Sequence, residues 1–255
     1  MGNKRTIEGK TLLVTGANRG LGAALVEAAF ARGAGKVYCG ARDMSSFGAG
    51  LDRFGGRAIP VQLDVTSEAD VTAAAAALTD LDIVVSNAGV TYMVPLLETT
   101  MQGARDTMET NFFGPLRLVH AFGPHLNARN GGYISVLSLA ALLPAQGAEL
   151  YSASKAASVM LGHAARQALP DVAVSLAYPG LMDTDMMRSS AFAKTSPQEI
   201  AANILDGWTS GDTAVFPDLH SQYLRDAFVG RAAEVLVDPN ALMRDALLRY
   251  LEARR

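Results

Sequence analysis

Tyr151 and Lys155 lie four residues apart in a segment with a helical pattern, so their side chains project from one face of a helix. A phenol with its ordinary pKa of about 10 is a poor base at neutral pH. Lowering that pKa by about three units takes roughly 4 kcal/mol of extra stabilisation of the phenolate. An ammonium group one turn away can supply much of it in a cleft of low dielectric. The pair indicates general acid/base chemistry, although an ordinary amphipathic helix has the same spacing.

A second candidate site is the glycine-rich turn Gly16-Ala17-Asn18-Arg19-Gly20-Leu21-Gly22, which follows a β-branched segment and precedes a helical one. Glycines let the backbone turn sharply, and they let phosphate oxygens approach the N-terminus of the next helix, where amide groups and the helix dipole favour anions. The spacing G-x-x-x-G-x-G differs from the G-x-G-x-x-G dinucleotide pattern. An ordinary tight turn is the alternative, but three glycines directly after the first strand favour a phosphate site.

Segments rich in β-branched residues alternate with longer segments rich in Ala and Leu, which predicts alternating strands and helices. The predicted strands are 11–15, 36–40, 58–63, 83–86, 132–137, 172–177 and 213–216, and the predicted helices are 21–32, 68–78, 101–126, 151–169 and one that starts at Ser196. Continuously apolar strands indicate a parallel sheet covered by helices on both faces. Right-handed connections then give an α/β, Rossmann-type doubly wound sheet of about seven strands. We expect a single domain over 1–255, with 218–255 as its helical C-terminal extension.

The composition excludes several classes of protein. The 255 residues include 22 Lys and Arg and 25 Asp and Glu, for a net charge of -3, whereas nucleic-acid binding needs a concentrated basic face. No apolar run is long enough to span a membrane, and the histidines lack the spacing of metal ligands. The single cysteine, Cys39, forbids an intrachain disulfide. We therefore expect a cytoplasmic protein with no nucleic-acid or membrane partner and no metal.

Seven segments follow one another over about 10–184: TGANRGLG at 15–22, LDVT at 63–66, NAG at 87–89, Asn111, Ser138, Tyr151 with Lys155, and Pro179-Gly180. With these segments at this spacing, the chain resembles the short-chain dehydrogenase/reductase family. The resemblance implies an oxidoreductase that transfers a hydride between a nicotinamide cofactor and a carbonyl compound or secondary alcohol. It also implies a homodimer or homotetramer, although this chain lacks the short strand and glycine-rich segment that contribute to the tetramer in many relatives.

The resemblance also implies four catalytic residues: Asn111, Ser138, Tyr151 and Lys155. Tyr151 would give a proton to the carbonyl oxygen during reduction, with its pKa lowered by Lys155, and Ser138 would polarise that carbonyl. Asn111 would hold a water that links Lys155 to solvent. Ser135 is a rival hydroxyl, but the pleat of a strand turns it to the other face from Ser138. Pro115 has no amide to pair with the carbonyl of Asn111, so we expect a kink there.

The end of the second strand indicates which cofactor is used. In the family an acidic residue there binds the ribose of NAD, whereas here Ala41 holds that position and Arg42 follows it. Arg42 and Arg19 suit the 2′-phosphate of NADP(H), because guanidinium groups bind phosphate oxygens in pairs. We therefore expect NADP(H). Asp43 could repel the phosphate or orient Arg42, and both arginines could be solvated surface charges, so an NAD-dependent enzyme is the alternative.

The other cofactor contacts come from the resemblance alone. Asp64 would accept a hydrogen bond from the adenine amino group, unless it only forms a turn or caps a helix. Val65 would form a neighbouring wall, and the small residues of Asn87-Ala88-Gly89 would let the cofactor lie against the backbone. Backbone groups near Met182 would hold the nicotinamide carboxamide. The remaining predicted contacts are Pro179, Gly180 and Thr184.

The predicted substrate pocket is mostly apolar and rich in methionine, which suits a hydrophobic ketone or aldehyde. Its candidate walls, half of which could be core residues, are Tyr92, Met93, Leu139, Leu143, Leu181, Met186 and Met187. Two other functions are possible for the fold. A dehalogenase-type elimination is disfavoured because such relatives lose the cofactor glycines. A non-catalytic NADP-sensing regulator would not need Tyr151 and Lys155.

Overall fold

The structure, a computed structural model, describes residues 5–182 and 195–230 together with Glu252. Seven parallel strands form one sheet in the order β3-β2-β1-β4-β5-β6-β7. The strands are β1 Thr11–Thr15, β2 Lys36–Ala41, β3 Ala58–Gln62, β4 Ile83–Ser86, β5 Gly132–Val136, β6 Ala173–Ala177 and β7 Ala214–Val215. The predicted doubly wound, Rossmann-type fold is confirmed, and each predicted strand is present to within one residue of its expected ends.

Helices cover both faces of the sheet. They are α1 Gly20–Ala31, α2 Glu68–Ala77, α3 Met101–Met108, α4 Gly114–Ala128, α5 Glu149–Ala168, α6 Pro197–Ser210 and α7 Leu219–Gly230. As expected, α6 begins after Ser196, whose hydroxyl accepts a hydrogen bond from the amide of Glu199. Of the predicted C-terminal extension the structure describes α7 and Glu252. No helix in the described part of the chain is long and apolar enough to cross a membrane.

The alternation of side chains along the strands divides the core into two layers. Leu12 and Val14 of β1 belong to a layer with α1 and α6, whereas Leu13 between them belongs to a layer with α2, α4 and α5 on the other face. Trp208 of α6 is buried in the first layer, where a Cβ at Gly132 would come within 2.5 Å of its ring. Trp208 is thus a packing residue, as expected.

The predicted helix over 101–126 is interrupted at the position of the expected kink. A π-helical turn, Glu109–Phe113, separates α3 from α4, and Asn111 lies within it. Pro115 is the physical reason, because it has no amide for the carbonyl of Asn111 and the α-helical bonding cannot continue there. Single π turns of this kind are frequent at functional sites. The kink expected at Asn111 takes this form.

The strand order brings the predicted site residues to one edge of the sheet. β1 pairs with β2 on one side and with β4 on the other, and such a reversal of strand order opens a crevice at the carboxyl ends of the strands. The glycine turn follows β1, Asn87 follows β4, and Ser138 follows β5 by two residues. The crevice between β1 and β4 is therefore the place where these groups meet.

Candidate active site

The glycine turn between β1 and α1 has a backbone that few other residues could adopt. Gly16 and Gly20 have positive φ angles of 64° and 54°, which favour glycine. A Cβ at Gly22 would overlap the carbonyl of Gly16. Arg19 is the N-cap residue of α1, but its side chain makes no capping hydrogen bond to the first turn, so it leaves those amides to other acceptors. The turn therefore fits a phosphate group.

Thr15 and Asn87 join the end of β1 to the end of β4. The hydroxyl of Thr15 accepts hydrogen bonds from the amides of Asn87 and Ala88 at 2.9 and 3.0 Å. Nδ2 of Asn87 donates to the carbonyl of Thr15 at 2.9 Å. Asn87 thus holds the start of the glycine turn in place. Sequence reasoning missed Thr15, whose signal was a hydroxyl that ends an apolar strand directly before the first glycine.

The end of β2 lies beside the glycine turn, because the amide of Ala17 donates to the carbonyl of Gly40 at 3.0 Å. Ala41 is the last residue of β2, so Arg42 is the first residue beyond the strand. The side chains of Arg42 and Arg19 are both exposed at this edge. The sheet therefore places both predicted phosphate ligands on the same side of the crevice.

Asp43 is directed at Ser45. Its carboxylate accepts hydrogen bonds from the amide and the hydroxyl of Ser45 at 2.9 and 2.6 Å. These bonds, and to a smaller degree the charge of Arg42, lower the pKa of Asp43. Asp43 caps a short helical turn over Met44–Phe47, so Oδ1 of its carboxylate is bonded to Ser45 within that turn.

Asp64 and Val65 follow β3 at the same edge. Oδ1 of Asp64 accepts bonds from the amide and hydroxyl of Thr66 at 2.9 and 2.7 Å, which is the turn-forming role that the sequence left open. The side chain of Val65 is buried against Gly114, where a Cβ would come within 2.8 Å of it. In this structure the side chain of Val65 packs against the start of α4.

Asn111 is 1% exposed and joins three elements. Its Oδ1 accepts a bond from the amide of Val90 at 2.9 Å, and its Nδ2 donates to the carbonyl of Val90 at 2.8 Å. Nδ2 also donates to the hydroxyl of Ser154 at 2.9 Å. Pro115 has no amide to donate to the main-chain carbonyl of Asn111. That carbonyl instead accepts a hydrogen bond from the hydroxyl of Ser158 at 2.6 Å. The π turn, the loop after β4 and α5 are held together here.

Ser154 and Ser158 are functional positions that sequence reasoning missed. Both are buried in α5, the helix that carries Tyr151 and Lys155. Ser154 also donates to the carbonyl of Tyr151 at 2.7 Å. Their signal was available, since three and seven residues after Tyr151 they continue the same helix face.

Ser138, Tyr151 and Lys155 come together at the carboxyl ends of β5 and β6. The hydroxyl of Ser138 lies close enough to the phenol of Tyr151 to lower its pKa. Nζ of Lys155 lies 5.8 Å from the centre of the Tyr151 ring and donates to the carbonyl of Val136 at 3.0 Å. The expected constellation of phenol, hydroxyl and ammonium is present.

Gly89 shows how close Asn111 lies to this group. A Cβ at Gly89 would be 3.2 Å from Oδ1 of Asn111 and 3.4 Å from Nζ of Lys155. Asn111 and Lys155 therefore lie beside the same point in the loop after β4.

Burial determines the protonation of this cluster. It lowers the pKa of Lys155 from 10.5 to about 8. Burial also raises the pKa of Tyr151 above its ordinary value, and the nearby hydroxyl of Ser138 opposes this rise. The expected lowering of the Tyr151 pKa by Lys155 is not found within the described residues, because desolvation of the phenolate dominates. The phenol needs a further positive charge nearby to act as a base near neutral pH.

The predicted pocket walls fall into two groups. Tyr92 and Met93 are exposed, and Tyr92 lines a cavity of about 190 Å³ together with Leu150, the neighbour of Tyr151. Leu139 and Leu143, by contrast, are core residues with 4% and 2% of their surface exposed, so here they pack rather than line an open surface.

The segment after β6 carries the last of the predicted contacts. Pro179 is buried, and Gly180, Leu181 and Met182 are partly buried beyond it. The predicted contacts Thr184, Met186 and Met187 lie outside the described residues. A larger cavity, about 620 Å³, lies at the opposite end of the sheet and contains none of the predicted site residues.

Comparison with known proteins covers most of the chain. The family model for short chain dehydrogenase matches residues 10–194. The chain is 34% identical over 176 residues to Short-chain dehydrogenase ptmH from Penicillium ochrochloron, across 67% of this chain but only 64% of that protein. It is 32% identical over 216 residues to L-fucose dehydrogenase from Rattus norvegicus, across 78% of this chain and 74% of that protein.

Among solved structures, a short chain dehydrogenase from Burkholderia cenocepacia J2315 in complex with NADP is 35% identical, with a TM-score of 0.85. The alignment covers 91% of this chain and 97% of that one.

The bond from Ser158 to the carbonyl of Asn111 can be tested with a double-mutant cycle. Ser158→Ala leaves that carbonyl unpaired and should lower the free energy of unfolding by about 1–3 kcal/mol. Pro115→Ala returns an amide to α4, so Ser158→Ala should cost at least about 0.5 kcal/mol less in that background. Urea unfolding of the four proteins measures both values. Strictly additive losses would contradict the link between Pro115 and Ser158.

The buried ammonium of Lys155 should connect stability to pH. Its pKa is about 8 in the folded protein against 10.5 ordinarily, so between these values the unfolded chain binds more protons and the free energy of unfolding rises with pH. Lys155→Met removes the group and should flatten this rise. Urea unfolding is compared between pH 8 and about 10, since above about pH 10 the raised pKa of Tyr151 acts in the opposite direction. Equal slopes in both proteins would refute the assignment.

Proposed function

The chain belongs to the short-chain dehydrogenase/reductase family of NAD(P)-dependent oxidoreductases, and we propose that this member is an NADP(H)-dependent carbonyl reductase. It transfers a hydride between the nicotinamide and a carbonyl compound or secondary alcohol, with a hydrophobic ketone or aldehyde as the substrate class. The observation that carries the proposal is the cluster in which Nζ of Lys155 lies 5.8 Å from the centre of the Tyr151 ring, with the hydroxyl of Ser138 near the same phenol. A cytoplasmic homodimer or homotetramer belongs to the same proposal.

The cofactor would bind across the crevice between β1 and β4. The glycine turn supplies a backbone that has no room for a Cβ at Gly22. The uncapped amides at the start of α1 suit the phosphates of the cofactor. Asn87, Ala88 and Gly89 supply backbone on the other side of the crevice. When bound, the cofactor supplies the hydride and, in its oxidised form, a positive charge.

The side chains of this chain supply the proton and the orientation. Tyr151 gives its phenolic proton to the substrate oxygen in reduction and takes a proton from the alcohol in oxidation. Ser138, whose hydroxyl lies near that phenol, holds the substrate oxygen beside it. Lys155 is fixed by the carbonyl of Val136 and, with a pKa of about 8, can exchange a proton near neutral pH.

Asn111 supports this chemistry in two ways. It fixes Val90 and α5 through its carboxamide, which sets the position of Lys155 relative to the loop after β4. Its role as holder of a relay water stays a prediction.

The preference for NADP(H) rests on charge. Arg42 and Arg19 are exposed on the same side of the crevice, and a guanidinium fork binds phosphate oxygens in pairs. Ala41 offers no carboxylate to the ribose, and Oδ1 of Asp43 is bonded to the amide and hydroxyl of Ser45. The similar Burkholderia cenocepacia structure was solved with NADP, which supports the same preference. An NAD-dependent enzyme is the second candidate.

Tyr151→Phe tests the catalytic role. The variant should lose turnover of NADPH with a ketone by about 10²-fold or more, because the phenol acts in the transition state. NADPH affinity should change little. Steady-state kinetics with a ketone panel and NADPH fluorescence titration give the two values. Wild-type turnover in the variant refutes the role of Tyr151, and binding without turnover in the wild type would favour an NADP-sensing regulator.

Arg42→Ala tests the cofactor preference. It should lower kcat/KM for NADPH by roughly 10- to 150-fold, the loss of a charge-assisted contact of about 1.5–3 kcal/mol, and leave NADH nearly unchanged. Adding Ala41→Asp should lower NADPH use further and raise NADH use, since a carboxylate repels the phosphate and binds both ribose hydroxyls. Both coenzymes are assayed with one ketone. An equal loss with both, or a wild-type preference for NADH, excludes the phosphate role of Arg42.

A further inference from the structure

A buried carboxylate in the loop between β7 and α7 contacts the segment after β6. Asp218 is 2% exposed, and its Oδ2 accepts a hydrogen bond from the amide of Gly180 at 2.8 Å. Its Oδ1 accepts one from the amide of Ser221 at 2.9 Å. A buried carboxylate is costly unless its oxygens are paired, and bonds to a charged acceptor are about twice as strong as neutral ones. The carboxylate and the two amides therefore hold one another in place.

The approach of Asp218 explains why residue 180 is a glycine. A Cβ at Gly180 would lie 2.6 Å from Oδ1 of Asp218 and 3.0 Å from Nδ1 of His220. Gly180 is not among the described glycines with a positive φ, so its backbone conformation does not demand glycine. The close contact with the start of α7 does.

Asp218 is itself firmly held from the C-terminal side. The hydroxyl of Ser221 accepts a bond from the amide of Asp218 at 3.1 Å and donates to its carbonyl at 2.7 Å. Two residues earlier, the ring of Phe216 stacks on Tyr178 at the end of β6, with ring centres 5.0 Å apart and planes 11° apart. The carboxylate thus has a fixed position from which to hold Gly180.

The segment that Asp218 holds leads to the point where the chain leaves the sheet edge and returns. Met182 pairs with Thr195 in an isolated parallel bridge, and the amide of Thr195 donates to the carbonyl of Leu181 at 3.0 Å. Gly180 precedes this junction by only one or two residues. A shift at Gly180 would therefore move the backbone groups near Met182.

We propose that Asp218 is a positioning residue for the nicotinamide half of the cofactor. Through the amide of Gly180 it fixes the backbone of 179–182, which the family resemblance predicts to hold the nicotinamide carboxamide; the inference rests on the proposed NADP(H)-dependent function. The adenosine half would bind at the glycine turn and the end of β2. No contact of Asp218 among the described residues reaches that part of the crevice, so the two halves should respond differently to its loss.

The test compares two ligands by calorimetry. One is NADPH, and the other is adenosine 2′,5′-bisphosphate, which lacks the nicotinamide half. Asp218→Ala should weaken NADPH binding by about tenfold or more and leave binding of the fragment within about twofold of wild type. Asp218→Asn keeps an acceptor for one of the two amides and should recover part of the loss. The matched control is Asp226→Ala on α7, an exposed carboxylate that contacts Arg225, and it should bind both ligands as wild type does.

Three results would overturn the proposal. Unchanged NADPH affinity in Asp218→Ala would refute it, and equal weakening of both ligands would show a merely structural role. If wild type binds neither ligand, the proposed function itself fails and the inference falls with it, a failure that is visible without any variant. Should Asp218→Ala not fold, Asp218→Asn carries the comparison, with selective weakening of NADPH expected and equal or no weakening contradicting it.

Discussion

The amide that Pro115 lacks determines how the centre of the site is built. Without it the helix that begins at Met101 cannot keep α-helical bonding past Asn111, and the chain makes a π turn there. The freed carbonyl then needs a donor, and Ser158 of α5 provides one at 2.6 Å. The same asparagine also forms hydrogen bonds with the main chain of Val90. Asn111 therefore connects three elements: the π turn, the loop after β4 and α5. The helix with Tyr151 and Lys155 is positioned by that connection.

Burial has opposite consequences for the two titrating groups of the site. A lysine loses charge more easily when it is desolvated and a tyrosine loses its proton less easily, so the pKa of Lys155 falls to about 8 while that of Tyr151 rises. The protein alone therefore keeps the phenol protonated, as a proton donor in reduction requires. A phenolate needs an added cation close to the Tyr151 ring.

The sequence predicted the sheet well because each strand is a short apolar segment whose burial needs no knowledge of its neighbours. Two of the four predicted catalytic residues, Asn111 and Lys155, lie together beside Gly89. The helix over 101–126 was expected to kink at Asn111, but its division by a π turn was not, because apolar periodicity persists through such a turn. In the protein alone the pKa of Tyr151 rises rather than falls, because the cost of burying a phenolate depends on the surrounding packing.

The residues that were missed share one property: their partners are distant in the chain. The hydroxyl of Ser158 donates a hydrogen bond to a carbonyl 47 residues away, and the carboxylate of Asp218 accepts one from an amide 38 residues away. A buried polar side chain on a helix or in a loop looks like a surface residue until the partner is known. Thr15 is similar, since its hydroxyl accepts hydrogen bonds from two amides that follow β4, 72 and 73 residues further on.

The bond between the carbonyl of Leu181 and the amide of Thr195 has an evolutionary consequence. It closes the chain on either side of residues 183–194, so the sheet edge and α6 do not depend on the length of what lies between them. The entropic cost of closing a longer loop grows slowly, by about 0.6 kcal/mol for each doubling. A change of sequence between these two residues would therefore leave the junction of the sheet edge with the start of α6 in place.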